Sequence, residues 1–214
     1  MPTAKAIRIR EPGGPEVLEV GEIELAPPGP SEVLVEVAAA GLNRADCLQR
    51  RGFYPAPPGV PAMGIVGGGS MATRLVTEGA ELMAVPDELS LEEAAAIPEV
   101  FLTAYDAIIV QGGLEAGRSV LFHAVASGVG TAGIQLASVI GATSIGTSRT
   151  ADKLPRCVDI GLNHAVLVED GDFSAGVLEA APNGVDVILD TIGAAYLAQN
   201  VKVIGKKGRI IVIG

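Results

Sequence analysis

The stretch Ser119-Val-Leu-Phe-His-Ala-Val-Ala-Ser-Gly-Val-Gly-Thr131 decides the fold of this chain. It begins as an apolar run of strand length and breaks at the pair Gly128 and Gly130. It then continues as the uncharged helical stretch Thr131–Ile140. A buried strand, a tight turn and an apolar helix form the opening half of a βαβ unit. The pattern repeats downstream. Strands are expected at Ser119–Ala124, Thr143–Thr147, Ala165–Val168, Val185–Asp190 and Arg209–Ile213. Helical stretches at Asp152–Ile160, Phe173–Ala181 and Ala194–Ile204 separate them. Apolar strands alternating with helices specify an α/β fold with a parallel sheet covered on both faces.

Upstream the punctuation is different. Ala4–Arg10 and Val17–Leu25 alternate apolar with polar residues, and Val33–Ala38 is a further strand. Pro12-Gly-Gly-Pro15 and Pro27-Pro-Gly-Pro30 are turns, Asn43–Arg51 a short helix, and Tyr54-Pro-Ala-Pro-Pro-Gly59 a proline-rich loop. Short strands are expected near Met71–Thr77 and Leu82–Val85. Together they describe a small barrel-like β domain. Ser90-Leu-Glu-Glu93 is a capping box, and Pro98 is suited to the first turn of a helix running towards Val110. The pattern changes near residue 97, dividing the chain into a unit of residues 1–97 and a unit of residues 98–214.

Composition narrows the function. The 214 residues carry 15 Lys and Arg against 25 Asp and Glu, a net charge of −10 that excludes a general nucleic-acid binder. Apolar residues reach 49 % while aromatics are 3 %, so Val, Ile, Leu and Ala must build the core. Two cysteines, Cys47 and Cys157, stand 110 positions apart, which fits a reducing compartment. No signal-peptide pattern opens the chain. Ser119–Ser148 lacks any Asp, Glu, Lys or Arg, but five glycines divide it into strand, turn and helix rather than a membrane span. A cytoplasmic protein without membrane partners is expected.

The turn at Ser127–Gly130 has the chemistry of a phosphate site. Backbone amides at a helix start, with the helix dipole behind them, hold an anion, and glycine lets the backbone come close. A glycine pair also serves any tight strand-to-helix turn, so the next strand must specify the ligand. NAD sites place Asp or Glu about 20 residues on, accepting from the ribose hydroxyls. Here Ser148-Arg-Thr-Ala-Asp-Lys153 begins 18 positions after Gly130. Hydroxyls and the cations Arg149 and Lys153 replace the carboxylate at the strand end, which suits the 2′-phosphate of NADPH. A solvated charged turn is the alternative. For a metal, His123, His164, Cys47 and Cys157 are the soft donors, and they do not cluster in sequence, so no metal site is expected.

Several segments resemble the zinc-free quinone oxidoreductases of the medium-chain dehydrogenase/reductase superfamily, most of all the tumour-suppressor-inducible NADPH type. They are Leu42-Asn-Arg-Ala-Asp-Cys-Leu-Gln-Arg-Arg-Gly52 with Tyr54 and Pro57-Pro-Gly59, Ala94-Ala-Ala-Ile-Pro-Glu99, and Leu102-Thr-Ala104. Ser127-Gly-Val-Gly-Thr131, Gly184–Asp190 and Gly208–Gly214 continue the likeness in order. The resemblance implies a GroES-like β-barrel domain followed by a Rossmann domain, with a cleft between them for NADPH and a quinone. It implies that Asn43 and Thr103 lie near the nicotinamide and ribose. Tyr54 would donate to the substrate, and Ser127 would belong to the catalytic and cofactor turn. Gly128, Val129, Gly130, Ser148, Arg149, Thr150, Lys153, Gly193 and Gly214 would complete the NADPH contacts. Zinc-dependent relatives carry Cys where Asn43 stands. Asn43 also suits a helix cap, and Tyr54 suits packing in a proline-rich loop.

Three departures set further expectations. Relatives have Gly at position 125, and Val125 is expected to crowd the cofactor. Met63-Gly-Ile-Val-Gly-Gly-Gly69 passes directly to a later glycine turn, implying a shortened barrel. The resemblance also implies a sheet truncated at its fifth strand, without the region through which relatives form homodimers. Two alternatives to quinone reduction therefore stand: an NADPH-binding variant without catalysis, and an NADPH-dependent enone reductase.

Overall fold

The computed structural model describes residues 1–54 and 70–213, in two compact units, Met1–Pro98 and Glu99–Gly214. In the first, the alternating segments at the chain start pair as antiparallel strands β1 (Thr3–Ile9) and β2 (Leu18–Glu24). Strand β3 (Glu32–Glu36) pairs antiparallel with β4 (Arg74–Glu78). Backbone hydrogen bonds from Ile7 to Met71 and from Thr73 to Lys5 link the two ribbons. Among the described residues these pairs remain separate sheets and close no barrel.

Helix α1 (Arg44–Arg50) starts at Asn43, and α2 (Leu91–Ala95) starts at Ser90. The expected capping box is present there: the Glu93 amide donates to Ser90 Oγ at 3.2 Å, and the Ser90 amide donates to Glu93 Oε2 at 2.9 Å. Those hydrogen bonds from Ser90 hold the Glu93 carboxyl below its usual range. The strand expected at Leu82–Val85 does not form. A 3₁₀ turn at Gly79–Glu81 ends directly before it and takes the Leu82 amide on the Gly79 carbonyl, and Pro86 lacks the amide that a ladder would need beyond it.

The second unit is built as the apolar periodicity requires. Strands β5 (Ser119–Phe122), β6 (Thr143–Ser148), β7 (His164–Leu167), β8 (Val185–Asp190) and β9 (Ile204–Val212) form one parallel sheet in the order β7-β6-β5-β8-β9. This is the Rossmann-like arrangement, with strand order reversing between β5 and β8. Helices α3 (Pro98–Tyr105), α4 (Gly128–Ile140), α5 (Leu154–Asp159), α6 (Ser174–Ala180) and α7 (Leu197–Val203) complete the unit. A π-helical segment, Asp106–Gln111, continues α3. Successive strand residues point to opposite faces. Val120 and Phe122 accordingly join Ile108, Ile134 and Leu189 in one buried cluster, while Leu121 joins Ile145, Phe173, Val177 and Ile188 in another. Strand β9 begins five residues earlier than expected, because a register shift between Val185 and Val187 lets Ile204 pair as well as Arg209.

Small residues set how closely α4 lies on the sheet. A Cβ added at Gly133 would stand 2.4 Å from the Phe122 ring, and one at Gly130 would stand 2.3 Å from the Val125 carbonyl oxygen. Neither position admits a side chain. Val125 itself corrects an expectation. It is fully buried in the cluster with Phe122 and Ile134, and a Cβ at Gly146 would stand 2.5 Å from its Cγ2. Its isopropyl group fills the space over Gly146 in the core instead of crowding a ligand. Val125→Gly is therefore expected to destabilise the chain by about 3 kcal/mol, through a cavity and added backbone freedom. Gly146→Ala should cost about 1–3 kcal/mol by overpacking, and Val125→Ala with Gly146→Ala less than the sum of the singles. Urea unfolding followed by circular dichroism measures all three; strict additivity would show that the two positions do not share this volume.

Candidate functional site

In an open parallel sheet, ligands bind beyond the carboxyl ends of the strands where strand order reverses. Here that point lies between β5 and β8, at His123–Ser127 and Asp190–Gly193. The turn after β5 is held from several sides. The Val125 amide donates to the Thr147 carbonyl at 3.0 Å, the Ser127 amide to the Ala124 carbonyl at 2.8 Å, and Thr191 Oγ1 to the His123 carbonyl at 3.3 Å. Ala124 has φ +48°, a left-handed conformation that alanine adopts at a cost. Ser127 then caps α4, its Oγ accepting from the Gly130 amide at 3.2 Å. Gly128 and Val129 occupy the first turn, where helix amides have no intrahelical acceptor. Gly130 is buried, its amide is taken by Ser127, and its lack of a side chain serves packing against Val125.

Beside this turn is a cleft of about 240 Å³, lined by Ser127, Thr147, Ser148, Arg149, Thr150 and Lys153 together with Ala124, Ala126, Val168, Ile192 and Tyr196. The four residues read as a phosphate clamp thus converge with Ser127 on one space. No carboxylate is among the described residues lining it. Ser148 shapes the clamp: its Oγ donates to the Thr150 carbonyl at 2.8 Å and accepts from the Thr150 amide at 3.1 Å. Arg149 and Lys153 form no ion pair with a described residue, so their charges are available to a ligand. These features fit the phosphate-bearing end of NADPH. The volume holds only part of a dinucleotide, being below the roughly 300–1,000 Å³ of a pocket for a drug-sized ligand.

Beneath the cleft runs a buried polar chain. His123 Nδ1 lies 2.9 Å from Thr147 Oγ1, and His123 Nε2 lies 2.7 Å from Asn200 Oδ1. Asn200 Nδ2 donates to Asp190 Oδ2 at 2.9 Å, and Asp190 Oδ1 accepts from the amides of Ile192 at 2.7 Å and Gly193 at 2.9 Å. The Phe173 and Tyr196 rings pack edgewise on the imidazole, with centroids at 4.7 and 4.9 Å. Burial pushes His123 below its usual pKa, opposed by the hydrogen bond to Asn200 and the charge on Asp190. The sequence offers His123 as a soft donor with a core or surface role favoured over ligation, and it does not single out Asn200 or Asp190 for a site. Only His123, directly after the apolar run Val120–Phe122, carries a local signal; Asp190 shares its strand with Asp186, and Asn200 stands beside Gln199 and Lys202.

Other expected site residues lie elsewhere. Asn43 is the N-cap of α1, its backbone amide donating to Asp46 Oδ2 at 2.7 Å. Tyr54 is exposed in the first unit, and Thr103 is half-buried in α3. Thr103 does not line the cleft. Gly193, at φ +82°, contributes its amide to the Asp190 turn. Gly214 lies outside the described residues, as do Pro57–Gly59 and Met63–Gly69. Among the described residues no three His, Cys, Asp or Glu side chains come together to hold a metal. No described helix is long and apolar enough to cross a membrane.

Comparison with known proteins places this geometry in a family. The chain is 30 % identical over 241 residues to the quinone oxidoreductase of Lama guanicoe, spanning 98 % of this chain and 72 % of that one. It belongs to the medium-chain dehydrogenase/reductase family. Residues 128–214 match the family model for zinc-binding dehydrogenases, although the described residues hold no ligand set for zinc. The CurK enoyl reductase structure superposes with a TM-score of 0.88 at 27 % identity, covering 99 % of this chain and 74 % of that one. A mycobacterial protein solved with NADPH superposes at 0.85 with 27 % identity, covering 98 % and 74 %. Of the human, rat and mouse synaptic vesicle membrane protein VAT-1 homologs, 26–27 % identical to it, the chain spans little more than half the length, between 52 % and 58 %.

Because the folded chain resists protonating His123, the unfolded chain takes up the extra proton first as pH falls below about 6.5. The stability carried by the neutral imidazole is complete above that value. It is lost as pH falls through it towards the lowered folded-state value. His123→Gln is expected to flatten this part of the stability profile between about pH 7.5 and 5.5, as read by urea midpoints. Equal slopes for both proteins would mean that His123 is not held neutral.

Proposed function

We propose that this family member is an NADPH-dependent oxidoreductase that reduces a quinone without a metal. The observation carrying the cofactor choice is the convergence of Ser148, Arg149, Thr150 and Lys153 on one cleft beside Ser127, with no carboxylate among its described lining residues. A carboxylate there would accept from ribose hydroxyls and repel a 2′-phosphate, whereas a guanidinium and an ammonium attract it. The mycobacterial relative that carries NADPH supports the same choice.

When bound, the dinucleotide supplies a hydride for direct transfer to a conjugated acceptor. The chain's own residues bind and orient it. Arg149 and Lys153 neutralise the phosphate, Ser148 and Thr150 hydrogen-bond it, and the Ser127 cap with the Gly128 and Val129 amides faces the pyrophosphate. Asn43, Thr103 and Tyr54 are assigned by resemblance to the nicotinamide and substrate end. There the Tyr54 hydroxyl donates to the carbonyl oxygen that gains charge. By its motifs the chain resembles the tumour-suppressor-inducible NADPH:quinone type, and a cytoplasmic location with a small-molecule quinone as partner goes with this reading. The likeness to the CurK enoyl reductase favours a second reading, reduction of an activated carbon–carbon double bond.

Fluorescence titration is expected to show NADPH binding at least about tenfold tighter than NADH. Arg149→Ala with Lys153→Ala should remove most of that preference, leaving NADH affinity nearly unchanged. Equal affinities in the unmodified protein would overturn the cofactor assignment. Oxidation of NADPH by a naphthoquinone, set against an enone at equal concentration, decides between the substrate classes; binding without turnover of either would leave an NADPH-binding protein.

A further inference from the structure

We infer that His123 is a positioning residue for the cofactor cleft: as the neutral Nε2–H tautomer it holds, through Asn200 and Asp190, the Thr191–Gly193 turn, whose Ile192 lines the cleft. The inference rests on the cleft's being the NADPH site. Donor and acceptor order gives the chain one direction. Asp190 is the terminal acceptor, receiving the Ile192 and Gly193 amides on one oxygen and Asn200 Nδ2 on the other. Asn200 therefore turns its carbonyl oxygen towards His123, and that oxygen accepts only if Nε2 carries the proton. Burial disfavours the imidazolium, and the Phe122 carbonyl, the other acceptor near Thr147 Oγ1, is farther off at 3.5 Å, so the Thr147 hydroxyl donates to Nδ1. His123, Thr147, Asp190 and Asn200 are all at most 1 % exposed, so water offers no substitute partner.

Four residues lining the cleft are tied to this chain. Thr147 bonds the imidazole, Ala124 follows it in a strained conformation, Tyr196 packs on it, and Ile192 is held by Asp190. The titratable groups facing the ring are Asp190, across Asn200, and Tyr196. The chain also crosses the sheet where strand order reverses, joining the ends of β5, β6 and β8 to α7. A protein that needed only to fill this space would place apolar side chains there. A directed polar chain instead fixes the position of the Ile192 and Gly193 backbone relative to the β5 turn.

The test exchanges charge along the chain. Asn200→Asp sets two carboxylates against each other, and the order survives only while they share a proton. NADPH affinity should then fall about tenfold or more as pH rises from about 6 to 8, a dependence that the unmodified protein lacks. Asp190→Asn combined with Asn200→Asp puts the acceptor at position 200 and the donor at position 190. It should restore affinity to within about threefold and remove the pH dependence. In parallel, hydrogen exchange of the Ile192 and Gly193 amides, measured without cofactor, should accelerate at least about tenfold in the single variant and recover in the double. If the double variant binds and exchanges no better than the single, the chain has only a packing role and the inference fails. Should the single variant not fold, the double decides: it must fold and match the unmodified protein in both measurements. If the unmodified protein binds no NADPH while the exchange pattern holds, the cofactor assignment falls and the positioning of the turn stands.

Discussion

Everything at the candidate site depends on how closely α4 lies against β5. Gly130 and Gly133 leave no room for a Cβ between the helix and the strand, and Gly146 leaves none beneath Val125. With those three positions bare, the turn from Ala124 to Ser127 must be short, and the start of α4 is fixed at the carboxyl edge of the sheet. Ser127, the cap of α4, then stands in the lining of the cleft. The cost is borne at Ala124, whose left-handed backbone is kept in place by hydrogen bonds on either side of it.

A second constraint acts from below. The order reversal between β5 and β8 opens a crevice, and an open crevice leaves polar strand ends to be satisfied. His123, Asn200 and Asp190 satisfy them within the protein, and no buried side-chain nitrogen or oxygen is left without a partner among the described residues. The same groups position the turn after β8. Above them the cleft is cationic and rich in hydroxyls, although the chain as a whole carries a net charge of −10. A local positive site on an acidic protein attracts an anionic ligand while the surrounding surface discourages polyanions in general.

Much of this was legible in the residues. The uninterrupted apolar strands required a sheet covered on both faces, and Ser148-Arg-Thr-Ala-Asp-Lys153 at the end of β6 marked a cationic, hydroxyl-bearing turn because its position and its chemistry are both local. The capping box at Ser90 was legible for the same reason. Val125 was misread because a turn position does not reveal which way its side chain points; the neighbour that accepts it, Gly146, lies a strand away. The Leu82–Val85 segment has strand-like residues, but a strand needs a partner edge, and none is supplied among the described residues.

The sequence by itself determined the fold class, the strand and helix order of the second unit, and the cationic end of β6, since each is written in short-range periodicity, caps and charge. Only the tertiary structure decided that Gly130 serves packing, that Val125 belongs to the core, and that His123, Asn200 and Asp190 form one chain. Those three lie 77 and 10 positions apart along the chain. Their meeting depends on the parallel crossovers that bring β5, β8 and α7 together. A hydrogen bond across such a separation leaves no mark in the local pattern, because the partner that satisfies a buried polar group is chosen by the fold.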